Sequence, residues 1–179
     1  RIILRQHKLI SKSNSRTRRP TQSELWKLSR YFWRKQHRAR SAIPMLDIMW
    51  FQLYSTRRES ETCRLRWSDN NEERHTGLVR DAKHPRTKKG NHKRFKYSNS
   101  AWKIVQKQQQ TDDLIFPYSP RTISAYFTKA CKTLGINDLR LHDLRHEGTS
   151  RLFEQGYSID KVALFTLHED WKTLKRYTH

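Results

Sequence analysis

The spacing of apolar positions predicts a chain built mainly from helices. The segment Thr21-Gln22-Ser23-Glu24 follows a proline and has the pattern of a capping box, which predicts that a helix starts here. Leu25, Leu28 and Phe32 recur at helical spacing and would form its apolar stripe, with Trp33 as an optional fourth member. We therefore expect a first amphipathic helix directly after Pro20.

The most apolar run in the chain extends from Met45 to Tyr54. Pro44 precedes it, and proline favours the first position of a helix, so a second helix is expected to begin there. A helix with so few polar positions should be enclosed by others. We expect this helix to be the centre of the domain.

The middle of the chain changes from helical to strand patterns. A short helical stretch over 58–65 leads into turn residues at 67–71, and the segments Thr76 to Ala82 and Arg94 to Ser98 have strand character. The polar loop from Lys83 to Lys93 separates them. This predicts a small antiparallel sheet, either a hairpin or three strands, with a basic tip.

Further helices are expected over the second half of the chain, with Gly156 as a C-terminal cap. Their expected ranges are 101–109, 120–134, 142–155, 158–165 and 170–177. The predicted fold class is mainly α with a small antiparallel β-sheet (α+β).

The charge of the chain indicates a polyanionic partner. Lys and Arg number 38 and Asp and Glu number 17, which gives a formal net charge of +21. Nucleic acid fits this excess, because each phosphate that meets a basic side chain releases counterions. An RNA-packing protein would have the same composition, so charge alone defines only the class of partner.

Other composition signals exclude several classes. The 34% hydrophobic share and 11% aromatic share are too high for a disordered basic tail. Cys63 and Cys131 have no disulfide framework or metal-ligand spacing, so we expect two reduced thiols. No apolar run approaches the roughly 18 residues of a membrane span. The chain begins without Met, and we interpret it as part of a longer protein.

The last third of the chain carries the densest set of catalytic residue types. His142 and Arg145 lie three apart at a helix start, so they share one face of that helix. His168 and Tyr177 follow, and Arg58 lies upstream before Leu65-Arg66-Trp67. Each residue taken singly has a more ordinary explanation in a basic protein, as a cap, a phosphate contact or a packing residue. The ordered series is what indicates chemistry.

This series resembles the tyrosine recombinases, the phage-integrase family that includes lambda integrase. His142-Asp143-Leu144-Arg145-His146 is similar to the family's H-x-L-R-H box, and Thr166-Leu167-His168 to its L-G-H box. Lys175-Arg176-Tyr177-Thr178-His179 resembles the R-Y-x-H box, and the segment 58–67 resembles the box with the first arginine. The resemblance covers 20–179 and implies a tyrosine-recombinase-like catalytic domain.

The resemblance also implies a role for each matched residue. Tyr177 would attack a backbone phosphorus and form a 3′-phosphotyrosine link. Arg58 and Arg145 would bind the non-bridging oxygens, with His168 adding a hydrogen bond. His142 would help remove the proton of the phenol, a group whose pKa in water is about 10. The acid for the departing 5′-hydroxyl would be a hairpin lysine, for which Lys83 is preferred over Lys88, Lys89 and Lys93.

Such chemistry needs no metal, no ATP and no other cofactor. The implied partners are double-stranded DNA and further copies of the chain, as a tetramer when full length, and no membrane. The implied location is the cytoplasm, as a bacterial or phage-encoded, nucleoid-associated protein. Basic residues expected at the DNA backbone are Arg66, Lys93, Arg94, Lys96, Arg121 and Lys129.

The sequence departs from the family pattern at a few positions. Leu167 stands where the family usually has glycine, and Thr56 and Arg57 replace small and apolar residues before the first arginine. Residues 1–20 are expected to be a basic linker or arm, a remnant of an N-terminal DNA-binding region. The catalytic domain would span 21–179, truncated shortly after the nucleophile.

Two other functions stay open at this point. A type IB topoisomerase or telomere resolvase would use the same phosphotyrosine chemistry, and would relax supercoils without strand exchange. A non-catalytic basic nucleic-acid-binding protein would explain the charge, but would leave the ordered series of arginines, histidines and tyrosine as coincidence.

Overall fold

The computed structural model describes residues 16–38, 42–82, 89–168, 174–175 and 177. Within them, seven helices and two strands follow one another, with a 3₁₀ turn at Trp67–Asp69. They are α1 (Gln22–Arg38), α2 (Met45–Ser55), α3 (Glu59–Thr62), β1 (Thr76–Val79), β2 (Lys93–Lys96), α4 (Asn99–Lys107), α5 (Pro120–Thr133), α6 (Asp143–Glu154) and α7 (Ile159–Thr166). The predicted α+β fold class is confirmed.

Helix α1 begins at the predicted capping box. The backbone N–H of Glu24 donates to Thr21 Oγ1 at 3.2 Å, and the Glu24 carboxylate accepts from the Thr21 N–H at 2.8 Å. The first turn thus satisfies two backbone donors that a helix leaves open. Leu25, Leu28 and Phe32 are buried as expected. Trp33 is 48% exposed and lies outside the stripe.

Helix α2 is the centre of the fold, as its apolar run predicts. It starts directly after Pro44 and packs against α1, α4, α5 and α6. Ile48, Met49 and Phe51 are fully buried. Enclosure on several sides explains why this helix needs no polar face.

The sheet consists of two antiparallel strands in the described residues, paired from Thr76 opposite Lys96 to Val79 opposite Lys93. Both strands are shorter than predicted. Strand β1 ends before Asp81, whose φ of 48° is left-handed and incompatible with an extended strand. In β2 the buried Phe95 lies between the exposed Arg94 and Lys96. Helix α7 packs against this strand.

Helix α6 carries the H-x-L-R-H box and is fixed at two glycines. At its end Gly156 has a φ of +82°, and the N–H groups of Gly156 and Tyr157 donate to Phe153 and Leu152. This is the Schellman geometry that glycine allows. At Gly148 a β-carbon would lie 2.0 Å from the Leu53 carbonyl oxygen, so α6 and α2 touch backbone to backbone.

The segment before α1 is bound to the domain by Arg16, Arg18 and Arg19, which we call the entry cluster. Each makes ion pairs at 2.5 to 2.9 Å, with carboxylates of Glu24, Asp138, Asp143, Glu147 and Glu154. These three arginines therefore contribute to internal structure. The expected role of residues 1–20 as an arm stays a prediction, and 1–15 lie outside the described residues.

The helices predicted for the second half of the chain lie within two residues of their expected ranges, except for the last, and the helical stretch expected over 58–65 is limited to Glu59–Thr62. The range 170–177 falls mostly outside the described residues. Cys63 and Cys131 are free and buried, and burial raises the pKa of the two thiols to about 12 and about 11. In the part of the chain that is described, no helix combines the length and apolarity that crossing a bilayer requires.

Candidate active site

Arg145 is enclosed by backbone carbonyls at the meeting point of three segments. Its Nη1 donates to the Thr56 carbonyl at 2.5 Å, and Nη2 donates to the Thr166 carbonyl at 2.9 Å. Nη2 also lies 3.1 Å from His168 Nε2. Carbonyls hold a guanidinium in place without neutralising its charge.

Two further arginines follow α2 and share one carboxylate. Arg58 Nη1 lies 2.5 Å from Glu61 Oε1, and Arg57 Nη1 lies 3.5 Å from Glu61 Oε2. Arg57 is fully buried over the ring of Phe95 and also donates to the Phe165 carbonyl. The Arg58 side chain is 26% exposed. Of the two, Arg58 is the one that a bound phosphate could reach.

We call Arg57, Arg58 and Arg145 the central cluster. Burial, together with the charges of Arg58 and Arg57, lowers the pKa of Arg145 to about 9. Burial alone would raise the pKa of Glu61, but Arg57, Arg58 and Arg145 together hold it at about 2. Among the described residues, three cations thus act on one carboxylate, and this excess of positive charge favours an added anion.

His168 follows α7 and is held by the same network. Its segment turns at Leu167, which has a left-handed backbone with φ of 54° and ψ of 37°. Thr56, at the end of α2, has a similar φ of 56°. Glycine adopts this conformation without the cost of about 1 kcal/mol that other residues bear. Leu167 therefore adopts the left-handed backbone conformation that favours the glycine usual at this position in the family.

Tyr177 is brought to the central cluster by packing on α6. Its ring lies parallel to Phe153, with centroids 6.5 Å apart, and belongs to a small apolar group with Leu152, Val162 and Leu174. Tyr177 also contributes to the pKa of Arg145, which it raises against the effect of burial. The structure thus gathers Arg58, Arg145, His168 and Tyr177 from four distant segments of the sequence.

The histidine that touches the Tyr177 hydroxyl is His146, which the sequence reasoning did not select. Its Nδ1 is hydrogen-bonded to Tyr177 Oη, and the two rings stack with centroids 5.9 Å apart. His142 is exposed at the start of α6, with its ring edge-on to His146 at 5.1 Å. The spacing of four residues between the two histidines was the signal that could have indicated His146, because it places both on one helix face.

The other predicted residues are exposed or partly exposed, or fall outside the described part of the chain. Lys83 falls outside the described residues, in the segment after β1. Arg94, Lys96, Arg121 and Lys129 are exposed, and Arg66 and Lys93 are partly exposed. Their contact with DNA stays a prediction. Among the described side chains, no group of three or more His, Cys, Asp or Glu could hold a metal ion.

A family model supports the predicted resemblance. The model described as the phage integrase family matches residues 18–179. The chain belongs to the phage integrase family. Among curated proteins, this family member is 33% identical over 170 residues to a shufflon-specific DNA recombinase of Escherichia coli, a match covering 93% of the chain and 41% of the relative.

Other relatives agree. An integrase of Salmonella phage P22 is 25% identical over 177 residues, covering 86% of this family member and 45% of that protein. The chain thus spans less than half the length of these two curated relatives.

Solved structures show the same fold. The Tn1549 transposon integrase in complex with transposon right end DNA superposes with a TM-score of 0.72 at 12% identity. The match covers 97% of the present chain and 65% of the transposon integrase. A lambda integrase dimer bound to a COC′ core site gives a TM-score of 0.69 at 20% identity. The match covers 94% of the present chain and 49% of the lambda integrase chain. The expected tyrosine-recombinase catalytic-domain architecture is confirmed.

Proposed function

We propose that the chain is the catalytic domain of a site-specific DNA recombinase that cleaves and rejoins duplex DNA through a 3′-phosphotyrosine intermediate. One observation carries the proposal: a tyrosine acts on a cluster of three arginines that, among the described residues, pairs with a single carboxylate. An anion is needed to balance this cluster, and a DNA phosphate beside Tyr177 would be both counterion and substrate.

The central cluster is suited to the transition state of phosphoryl transfer. Charge accumulates on the non-bridging oxygens when the phosphorus is attacked, and preorganised donors stabilise that charge most strongly. Arg58 and Arg145 would bind these oxygens, and the carbonyls of Thr56 and Thr166 keep the Arg145 fork oriented. His168, beside Arg145 Nη2, would add a donor to the same phosphate.

The energy of the broken phosphodiester would be kept in the tyrosine ester. A 5′-hydroxyl of a second strand then attacks this ester and releases Tyr177, so neither ATP nor hydrolysis is needed. Lys83 stays our candidate for the acid that protonates the departing 5′-oxygen. As in the lambda integrase complex, we expect more than one copy on DNA, with a tetramer on paired sites in the bacterial cytoplasm.

A covalent-trapping assay tests this function. The protein and its Tyr177→Phe variant are incubated in EDTA with duplexes that carry a nick near the scissile phosphate, and then run on a denaturing gel. We expect a DNA-linked band from the wild type alone. Equal bands from both proteins, or salt-sensitive binding without any adduct from the wild type, would overturn the proposal.

The same samples distinguish the related chemistry of a type IB topoisomerase. Strand exchange between two labelled duplexes is expected for a recombinase. Relaxation of supercoiled plasmid with no exchanged product would assign the phosphotyrosine chemistry to a topoisomerase.

A further inference from the structure

The hydroxyl of Tyr177 is in contact with one basic group in the described part of the chain, and that group is His146. The Nδ1 atom of His146 and Tyr177 Oη form a hydrogen bond, and the rings are stacked at an interplanar angle of 27°. The described apolar residues packed with the tyrosine ring, Phe153, Leu152, Val162 and Leu174, accept no proton. The contact therefore joins the reacting oxygen to an imidazole.

The position of His146 on α6 fixes this contact. It directly follows Arg145, whose guanidinium is held by two carbonyls, so the helix cannot rotate here without breaking both bonds. His146 is half-buried between His142 and Tyr177, whereas His142 is exposed. The two imidazoles meet edge to face at an interplanar angle of 86°. The histidines thus form a row from the phenol to solvent.

We propose that His146 is the group that accepts the phenol proton, and that His142 assists it from the solvent side. This rests on the proposed function. As the bond between Tyr177 Oη and phosphorus forms, the phenol proton moves to His146 Nδ1, which requires the neutral ring with its proton on Nε2. The bond from phosphorus to the 5′-oxygen breaks, and that oxygen leaves as a hydroxyl with a proton from the acid assigned to Lys83.

The arrangement gives His142 a different part from the one that the resemblance implies. Its exposed ring can exchange protons with water, and its charge state acts on His146 at a ring distance of 5.1 Å. Proton transfer needs a hydrogen-bonded pair, and His146 supplies it. His146 is thus a catalytic residue of this chain, and His142 is a positioning residue.

The test compares two histidine variants in two tyrosine backgrounds. His146→Asn keeps an acceptor oxygen near the position of Nδ1 but removes its basicity, and His142→Asn is the matched control on the same helix face. Each is measured with Tyr177 and with a trifluorinated tyrosine introduced at 177, whose phenol loses its proton more readily. The readout is the single-turnover rate of covalent adduct formation at saturating DNA.

We expect His146→Asn to lose about 100-fold of the adduct rate, the usual contribution of a general base, and His142→Asn to lose about tenfold or less. Fluorination should restore most of the rate of His146→Asn, because an acidic phenol needs no base. His146→Gln, which better suits a helix interior, should behave like His146→Asn and guards against a folding artefact.

A wild-type rate for His146→Asn would overturn the role of His146, as would a loss that fluorination leaves unchanged. Either result leaves the proposed function standing as long as the wild type forms the adduct. Absence of adduct from the wild type would instead overturn the proposed function, and this inference with it.

Discussion

The entry cluster and the central cluster are each made of three arginines, but their partners differ. Arg16, Arg18 and Arg19 face five carboxylates, on Glu24, Asp138, Asp143, Glu147 and Glu154. Among the described carboxylates, Arg57, Arg58 and Arg145 share Glu61 alone. Within the part of the chain that is described, the charges of the first group are balanced by carboxylates, and the second group has an excess of positive charge.

The pKa shifts of the two clusters have opposite directions. Hydrogen bonds to carboxylates raise the pKa of Arg16 and Arg19. Burial, followed by neighbouring charges, lowers the pKa of Arg145 to about 9, and burial lowers that of Arg57 to about 10. A buried arginine held by carbonyls is costly in the free protein. The comparison teaches that partners, and not residue type, distinguish an arginine of the scaffold from one prepared for a ligand.

The largest expected effect is on the rate of adduct formation, which should depend on the central cluster and not on the entry cluster. Arg145→Lys keeps the charge but loses the planar fork, so we expect the rate of adduct formation to fall about 10³-fold. Arg16→Lys is the matched change in the entry cluster and should leave the rate per folded molecule unchanged. Quenched-flow measurement on a nicked duplex checks both. Similar losses of adduct rate in the two variants would show that the two clusters do not differ in their contribution to activity.

Glu61→Gln should have the largest effect on stability. It removes the one described carboxylate of the central cluster, and removing one partner of a buried ion pair costs roughly 3 kcal/mol of unfolding free energy. Urea denaturation measures the change. Asp138→Asn is the control. It removes a 68% exposed carboxylate that pairs with Arg16 of the entry cluster, and it should have a smaller effect. A larger effect at Asp138 would contradict the comparison.

The Glu61 contribution should also disappear in acid. Its pKa falls from 4.5 in the unfolded chain to about 2 in the folded one, so its stabilisation is complete above pH 4.5 and is lost as the pH falls toward 2. The difference in unfolding free energy between the wild type and Glu61→Gln should therefore narrow over this window. A constant difference from pH 5 to 2 would show that folding does not lower the pKa of Glu61.

An added anion should stabilise the central cluster alone. Inorganic phosphate at ten times its dissociation constant would add about 1.4 kcal/mol to the unfolding free energy if it binds there. Arg58→Gln should abolish the gain, whereas Arg19→Gln should keep it. Differential scanning fluorimetry at constant ionic strength measures this. Equal gains in all three proteins would indicate a general salt effect.

The smallest expected effect is that of Arg19→Gln on stability. The Arg19 side chain is 40% exposed, and Glu147 keeps a second partner in Arg151 at 2.6 Å. We expect a loss of about 0.5 kcal/mol or less, the usual value of an exposed ion pair. A loss of several kcal/mol in urea denaturation would mean that the entry cluster determines the fold.

Local sequence patterns predicted the helices of this chain because caps act between near neighbours. The reciprocal bonds of Thr21 and Glu24 and the turn at Gly156 are examples. Strand ends were less predictable. Asp81 ends β1 by adopting a left-handed backbone, which no apolar pattern records. Trp33 was an optional member of the apolar stripe of α1, but its side chain is 48% exposed because the neighbouring helices do not cover it.

The candidate site was predictable only where a motif carried it. Arg145, His168 and Tyr177 lie in boxes that the family shares, and the structure brings them together. The burial of Arg57 depends on Phe95 and the Phe165 carbonyl, which lie far along the chain. The contact of His146 with Tyr177 likewise depends on how the last segment packs on α6. Such long-range packing leaves no local signature. The individual catalytic roles stay predictions.

The backbone contact at Gly148 means that two separate stretches of sequence, on α6 and α2, constrain each other. A side chain at 148 would collide with the Leu53 carbonyl, whose position cannot be altered by changing residue 53. Arg145 and His146, which contacts Tyr177, lie within one helical turn of this point. A single methyl group at 148 would displace α6, which carries both of these residues, so we expect that this position accepts no side chain larger than hydrogen.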